Sequence, residues 1–212
     1  MTGRVDWASA LAWTNSKNVA YPSVGLSAIL TDLFPIKNDV LTFLKVRGSY
    51  SEVGNAPTRY IAFQTYPYQS GIPTTASTYP NTDIKPERTK AWEIGLQSNF
   101  WGDKLALNVS LYKTSTYNQL FNPSLSASSG YTSIYINGGQ VDNKGIELSL
   151  SLNQPLGPVE WNSTFTYTLN RNKIKKLLKP TTLSSGLTVE QDVLDLGGVG
   201  NVMSRLTEGG LS

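Results

Sequence analysis

The stretch GIELSLSLN, residues 145–153, alternates apolar and polar side chains without a break. Successive side chains of a β-strand point to opposite faces of its sheet, so alternation of this kind is typical of a strand that separates two environments. One face of the segment is entirely aliphatic, and the other carries Glu, Ser and Asn. The apolar face consists of Ile146, Leu148, Leu150 and Leu152.

The same alternation recurs along the chain and brings the number of predicted strands to seven. These segments are near or above the roughly 9–11 residues that a tilted membrane strand needs. Their apolar faces carry no charged residue, whereas their polar faces carry Arg, Lys, Glu, Asn and Thr. No helix is predicted. The further strands are predicted at residues 4–13, 23–30, 44–51, 92–100, 104–112 and 159–170.

The predicted connections alternate between short and long. Residues 33–40, 101–104 and 154–158 form short links, whereas residues 52–90 and 114–144 form long ones. Outer-membrane barrels have short periplasmic turns and long external loops. In a soluble domain, repeated loops of this length would count against the strand assignment.

Aromatic residues are predicted to form two girdles at the ends of the strands. Trp92 and Phe100 share a face eight residues apart, which corresponds to roughly 20 Å of depth for a strand tilted near 40°. Trp7 is predicted nearer mid-depth, outside this pattern. The other girdle candidates are Trp101 and Trp161 beside short turns, and Trp13, Tyr21 and Tyr50 beside long loops.

Composition excludes several classes of protein. Only 16% of the 212 residues are charged, against about 25% in an average soluble domain. No apolar run approaches the roughly 18 residues of a membrane helix. The chain has no cysteine and no histidine, which removes thiol chemistry, His-based triads and most zinc sites. The net charge of +3 is too small to indicate nucleic acid, and no cofactor is expected.

A soluble β-sandwich with one buried face on each sheet remains the alternative to a membrane barrel, since it explains the alternation equally well. It explains the strand lengths, alternating loop lengths and girdles less well. The beginning of the chain, from Met1, reads directly into a strand without a leader, and residues 208–212 read as a loop. Both ends therefore favour the interpretation of a fragment, with no domain boundary inside residues 1–212.

Four motifs resemble SusC/RagA-like TonB-dependent outer-membrane transporters. They occur in the order of that family and cover most of residues 4–177. The segment at 85–96 joins a Pro-Glu loop end to a strand with Glu-x-Gly. The motifs are YPSVGLSA (21–28), LKVRGSYSEVGN (44–55), KPERTKAWEIGL (85–96) and YINGGQVDNKGIEL (135–148).

The resemblance implies an all-β fold in which this chain is a partial transmembrane antiparallel β-barrel, an open curved sheet of about seven strands from a barrel of about 22. It implies import of oligosaccharides or peptides across the bacterial outer membrane, coupled to the TonB complex, with a SusD-like surface lipoprotein as lid. The plug domain and remaining strands would lie outside residues 1–212, so this chain alone could not transport.

Two sets of binding residues are predicted. Aromatic rings stack on sugars and on peptide side chains, so loop tyrosines are candidates for substrate binding, although packing of the loops explains them too. Charged residues on the polar faces are candidates for contact with a plug, against simple solvation of a wet interior. The first set is Tyr60, Tyr66, Tyr68, Tyr79, Tyr131 and Tyr135; the second is Arg4, Asp6, Lys45, Arg47, Glu93, Glu147 and Glu160.

No enzyme is predicted. Asp192 and Asp195 pair two carboxylates in an apparent external loop, and the glycine-rich residues 197–200 lack the Lys-Ser/Thr of a phosphate loop. Asp142 with Glu147 could touch a cation. The alternatives to transport are a surface glycan-binding or adhesive β-domain and, less compatible with the missing histidine, an outer-membrane enzyme.

Overall fold

A computed structural model describes residues 1–16, 18–34, 39–191, 193–199, 202–207 and 209. Within them, no helix is both long and apolar enough to cross a membrane. One turn of α-helix at Leu30–Leu33, which the sequence did not predict, and 3-10 turns at Ser9–Leu11 and Ala127–Ser129 accompany the strands. The strands are β1 (Thr2–Trp7), β2 (Asn18–Ile29), β3 (Leu41–Asn55), β4 (Tyr68–Gln69), β5 (Ile72–Pro73), β6 (Thr78–Tyr79), β7 (Glu87–Phe100), β8 (Leu105–Phe121), β9 (Ser133–Ile134), β10 (Ile136–Leu156), β11 (Val159–Lys176), β12 (Leu178–Thr182), β13 (Thr188–Gln191), β14 (Val193–Val199) and β15 (Val202–Thr207).

Seven strands form one sheet, in the order β1-β2-β3-β7-β8-β10-β11, and each pairs antiparallel with the strands beside it in this order. The all-β, seven-stranded open sheet predicted from the sequence is confirmed. Its register also places the apolar faces together, since Leu150 lies opposite Leu107 on one side and Phe165 on the other. A slip by one residue would mix the two faces.

The strands are longer at the long-loop end than the alternation indicates. β3 reaches Asn55 and β7 begins at Glu87, so the predicted loop 52–90 shrinks to residues 56–86. Likewise, the predicted loop 114–144 shrinks to 122–135. Charged residues such as Lys90, Lys113 and Lys144 interrupt the apolar face in these extensions, which hides the strand from a pattern based on hydrophobicity. At the other end, β10 continues to Leu156 and leaves only residues 157–158 as its turn.

The first predicted strand is too long. β1 ends at Trp7, and a 3-10 turn follows, in which Leu11 is buried against Val19 and Tyr21. Trp7 therefore lies at the loop end of its strand, and not at mid-depth. Tyr21, predicted in a girdle, is buried in this cluster. Trp13 is also outside the sheet and stacks on Phe63 with ring centroids 5.2 Å apart.

The best-buried apolar side chains lie at the loop end of the sheet, and not on its broad apolar face. The largest of them are Leu11, Ile84, Ile134 and Ile136. The broad apolar face is exposed by contrast, with Leu26 at 79% and Phe165 at 60% exposure. A sheet that exposes an apolar surface of this size needs a partner of matching chemistry.

Candidate functional site

The two faces of the sheet differ in chemistry along whole rows of cross-strand neighbours. One row joins Ile94, Leu111, Ile146 and Leu169 across β7, β8, β10 and β11. The row one residue away, on the opposite face, contains Arg47, Gly95, Ser110, Glu147 and Thr168. The sheet thus separates an apolar environment from a polar one.

Three side chains link three strands on the polar face. A nitrogen of the Arg47 guanidinium donates to Glu93 Oε1 at 2.9 Å and to Ser110 Oγ at 2.7 Å. Ser110 Oγ also donates to the same carboxylate oxygen at 3.3 Å. Arg47 lies flat across β7 because its neighbour is Gly95, where a Cβ would come within 2.5 Å of Arg47 Nε. The predicted polar-face residues Arg47 and Glu93 therefore form one network.

The other charged candidates on the polar face are less connected. Arg4 and Asp6, two residues apart on β1, form an ion pair of 2.9 Å. Lys45, Glu147 and Glu160 make no ion pair within the described part of the chain. Side chains of this kind lie free to meet water or another protein surface, and their contact with a plug stays a prediction.

The loops above the sheet are joined to one another. β6 and β9, from the two long loops, form a parallel pair in which Thr78 lies opposite Ser133. Asn137 binds both polar groups of the Lys85 backbone, accepting from its N–H at 2.6 Å and donating to its C=O at 2.8 Å. Its amide nitrogen also donates to the Asn118 carbonyl at 2.8 Å. We call residues 56–86 and 122–135 together the loop cap.

The predicted tyrosines divide into three groups within the loop cap. Tyr60 and Tyr135 line one cavity of about 260 Å³. Tyr79 and Tyr131 pack edge to face with centroids 5.1 Å apart, so they serve the packing of the loops. Tyr66 and Tyr68 are exposed at 56% and 73% and are not among the residues that line the cavity.

The cavity contains residues that sequence reasoning did not select. Arg59 and Phe63 line it together with Tyr60, and Ala76 and Thr78 close it from β6 and its approach. Arg59 adds a charged donor beside the two tyrosine rings. In the sequence, the Arg59-Tyr60 pair before the apolar residues 61–63 marks this part of the loop. The pair alone does not indicate which other loop residues lie close to it.

The structure does not bring Asp142 and Glu147 together as a cation site. Asp142 and Glu147 lie on opposite faces of β10, and Asp142 faces Lys113 at 3.9 Å. Residues 197–199 belong to strand β14, in which Gly198 and Val199 pair with β15. Asp195 lies in the same strand, not in a loop. The partners Asp192 and Gly200 lie outside the described residues. Within those residues, no group of three or more Asp or Glu is arranged to hold a metal ion.

Asp83 fastens the loop cap to the turn between β12 and β13. Its carboxylate accepts from the Ser184 backbone N–H at 2.8 Å and from the Ser184 hydroxyl at 2.7 Å. Asn15 donates to it at 3.2 Å. The hydrogen bonds from Ser184 are the main favourable cause that lowers the pKa of Asp83, and nearby Lys85 adds to it, although partial burial opposes the shift.

We expect acid to loosen this contact. A carboxyl group with a lowered pKa contributes stability that is complete above its ordinary value of 3.8 and is lost as the pH falls through the lower folded value. In the complete protein, hydrogen exchange should show Ser184 losing protection as the pH falls below 3.8. In the Asp83→Ala variant the Ser184 amide should be unprotected at every pH. In the exposed control Asp39→Asn it should be protected as in the unaltered protein. Equal protection in Asp83→Ala would contradict the assignment.

Comparison with known proteins finds one family that matches the whole of the seven-stranded sheet. The model of the family described as TonB dependent receptor-like, beta-barrel, matches residues 1–199. TonB-dependent receptor P26 of Formosa agariphila is 27% identical over 84% of this chain and 19% of its own length. Receptor P3 of the same organism is 28% identical over 83% of this chain and 18% of its own length. The chain therefore spans about a fifth of these relatives.

Solved structures share the fold. The RagAB peptide importer in its closed-closed state superimposes with a TM-score of 0.79 over 98% of this chain and 22% of that chain, at 21% identity. A structure described as the RagAB peptide transporter gives a TM-score of 0.77 over the same shares, at 23% identity. The chain thus has the same fold as part of these solved structures.

Proposed function

The chain belongs to the TonB dependent receptor-like β-barrel family, and from this premise we propose that its sheet is part of a complete barrel that imports nutrients. The place of the family is the bacterial outer membrane. The resemblance to SusC/RagA-like receptors that the four motifs indicate is confirmed by the family and the fold. Transport itself is the proposal, because the chain spans only about a fifth of its relatives.

The observation that carries the proposal is that the sheet exposes its apolar face, whereas a soluble protein buries such a face. Its broad face of Leu, Ile, Phe and Trp is exposed, while Arg47, Glu93 and Ser110 form a hydrogen-bonded network on the other face. In an outer-membrane barrel the apolar face meets lipid and the polar face lines the interior. A β-sandwich would cover its apolar face with a second sheet, and the described residues form none of that size.

We propose that residues 1–212 are one part of the barrel domain, with the plug supplied elsewhere in the complete protein. Energy would come from the TonB complex, and a SusD-like surface lipoprotein would cover the loop end. The cargo would be an oligosaccharide or a peptide. RagAB, with the same fold, is described as a peptide importer, which supports the peptide half of this expectation without deciding between the two.

Within this function, the cavity of the loop cap is the proposed substrate contact. Tyr60→Ala and Tyr135→Ala, tested in the complete receptor, should each weaken substrate binding about two- to tenfold, since an aromatic contact contributes about 0.5–1.5 kcal/mol. The control Tyr68→Ala removes an equally large ring that does not line the cavity and should change binding little. Equal losses in all three variants would contradict the assignment.

The transport proposal is tested by uptake of labelled oligosaccharides and peptides into cells that carry the complete receptor. Uptake should require both the receptor and a working TonB complex, whereas surface binding should persist without TonB. If binding occurs and uptake never does, the chain belongs to a surface glycan-binding or adhesive protein instead. That result would leave the position of the sheet in the membrane unchanged.

A further inference from the structure

Three basic residues stand side by side at the loop end of the apolar face. Lys113 on β8 lies directly opposite Lys144 on β10, and Lys144 lies directly opposite Arg171 on β11. Trp92 on β7 lies opposite Lys113 and completes the row. We call Lys113, Lys144 and Arg171 the cationic row. It belongs to the apolar face, because each of its members is two residues from a member of the row of Ile94, Leu111, Ile146 and Leu169.

A cleft of about 390 Å³ lies at this boundary. Its floor is aliphatic, with Leu111, Ile146 and Leu169, and Trp92 stands at its side. The three members of the cationic row form its other lining on the loop side. The cleft therefore has an apolar lower part and a positively charged upper part. This arrangement is complementary to a lipid with an anionic headgroup above its acyl chain.

The cationic row lacks enough negative charge of its own. Neighbouring strands are about 4.8 Å apart, and like charges directly opposite each other are destabilising. Asp142 forms an ion pair with Lys113 at 3.9 Å. Lys144 and Arg171 make no ion pair within the part of the chain that the structure describes. The row thus combines three adjacent cations with a single acid, an arrangement that an external anion would relieve.

We propose that the cleft binds a phosphorylated glycolipid of the outer leaflet, with its phosphate on Lys144 and Arg171 and an acyl chain on Leu111, Ile146 and Leu169. Arginine binds phosphate through two parallel N–H groups, and lysine adds a point charge. Basic pockets beside an apolar surface are suited to anionic headgroups. Trp92 fits this depth, because indole rings prefer the membrane interface.

The position of the cleft selects the lipid. It lies at the end of the strands that carries the long loops, which face outward in barrels of this kind. The adjoining leaflet of a bacterial outer membrane is built from phosphorylated glycolipid, whereas phospholipid dominates the inner one. The inference rests on the proposed contact of the apolar face with lipid, and it does not depend on transport or on its cargo.

The test compares two charge-matched double variants of the complete receptor. Lys144→Gln with Arg171→Gln removes two charges from the cleft, while Lys85→Gln with Lys104→Gln removes two charges from the exposed surface of the loop cap and a short turn. Purified in nonionic detergent, each protein is titrated with diphosphorylated lipid A, its dephosphorylated form and phosphatidylglycerol. Native mass spectrometry counts the bound lipid. Heat-dependent electrophoretic mobility verifies folding, and the single variants replace any double variant that does not fold.

We expect the cleft variant to bind lipid A at least about tenfold more weakly, which is the usual size of a lost charge-assisted phosphate contact. The control variant should bind as the unaltered receptor does. Salt should weaken binding, since the screening length falls from about 10 Å at 0.1 M to about 3 Å at 1 M. Equal binding by both variants, or by the dephosphorylated glycolipid, would overturn the proposal. Phosphatidylglycerol bound as tightly as lipid A would overturn the choice of a glycolipid.

This outcome is separate from that of the proposed function. If the unaltered receptor binds lipid A but never takes up nutrient, the transport proposal is rejected and the lipid site stands. Loss of lipid selectivity with normal uptake would do the reverse. The two failures are therefore distinguishable in one set of purified variants and cells.

Discussion

Leu150→Arg in the complete barrel is expected to cost about 2–4 kcal/mol of folding free energy, the usual cost of arginine at the lipid face near the bilayer midplane. Leu150 lies six residues from Lys144 along β10, or roughly 15 Å in depth for a tilted strand. That is about half the apolar band. Its cross-strand neighbours, Leu107 and Phe165, offer a guanidinium no partner.

The matched control is the next residue on the same strand. Ser151 faces the other side, where its hydroxyl hydrogen-bonds with that of Thr164 at 3.2 Å. Ser151→Arg should therefore be much milder than Leu150→Arg, since a wet interior accepts charge. Folding titrations in lipid vesicles measure both variants against the unaltered barrel. Equal costs would reject the assignment of the two faces.

Residues 1–212 expressed alone are expected to form no soluble monomer and to need detergent or denaturant. The outer sides of β1 and β11 have no partner strand among the described residues, so their N–H and C=O groups are open to pairing with other chains. In lipid, each unpaired group would cost several kcal/mol, which makes an open sheet unsuitable as a membrane-spanning structure on its own.

The exposed apolar face adds to this effect. Leu26, Ile94 and Phe165 are half-exposed or more in the sheet, and in water such a surface promotes aggregation. Sedimentation of the refolded chain in plain buffer, with and without detergent, measures the outcome. A monodisperse monomer that unfolds cooperatively in buffer would contradict the membrane assignment and favour a soluble β-sandwich.

The number, order and facing of the seven strands in the large sheet could be predicted because the apolar band imposes a strict two-residue period, whereas the eight strands of the small two-stranded sheets were not predicted. Leu105 to Leu111 and Ile146 to Leu152 are read correctly for this reason. Strand ends could not be predicted in the same way. From the level of Trp92 toward the loops, Lys90, Lys113 and Lys144 continue the apolar face as charged residues, so the period in hydrophobicity ends while the hydrogen-bonded ladder continues.

The candidate site was only partly predictable. The six tyrosines were selected by composition, but Tyr60 and Tyr135 are separated by the whole of β7 and β8 along the chain. Their convergence depends on the β6–β9 pair and on Asn137, which are long-range contacts without a local pattern. Leu11 and Trp13 misled the reading for a related reason, since they continue the alternation of β1 by chance while packing in the loops.

The central claim is that the two faces of β10 meet lipid and water respectively, and spin labels along this strand test it most directly. The chain contains no cysteine, so single cysteines at residues 146–153 of the complete receptor give each label a unique place in the sheet. Collision with oxygen, which concentrates in lipid, should peak at 146, 148, 150 and 152, and collision with a water-soluble nickel complex should peak at 147, 149, 151 and 153. A scan without a two-residue period, or with the opposite phase, would contradict the account.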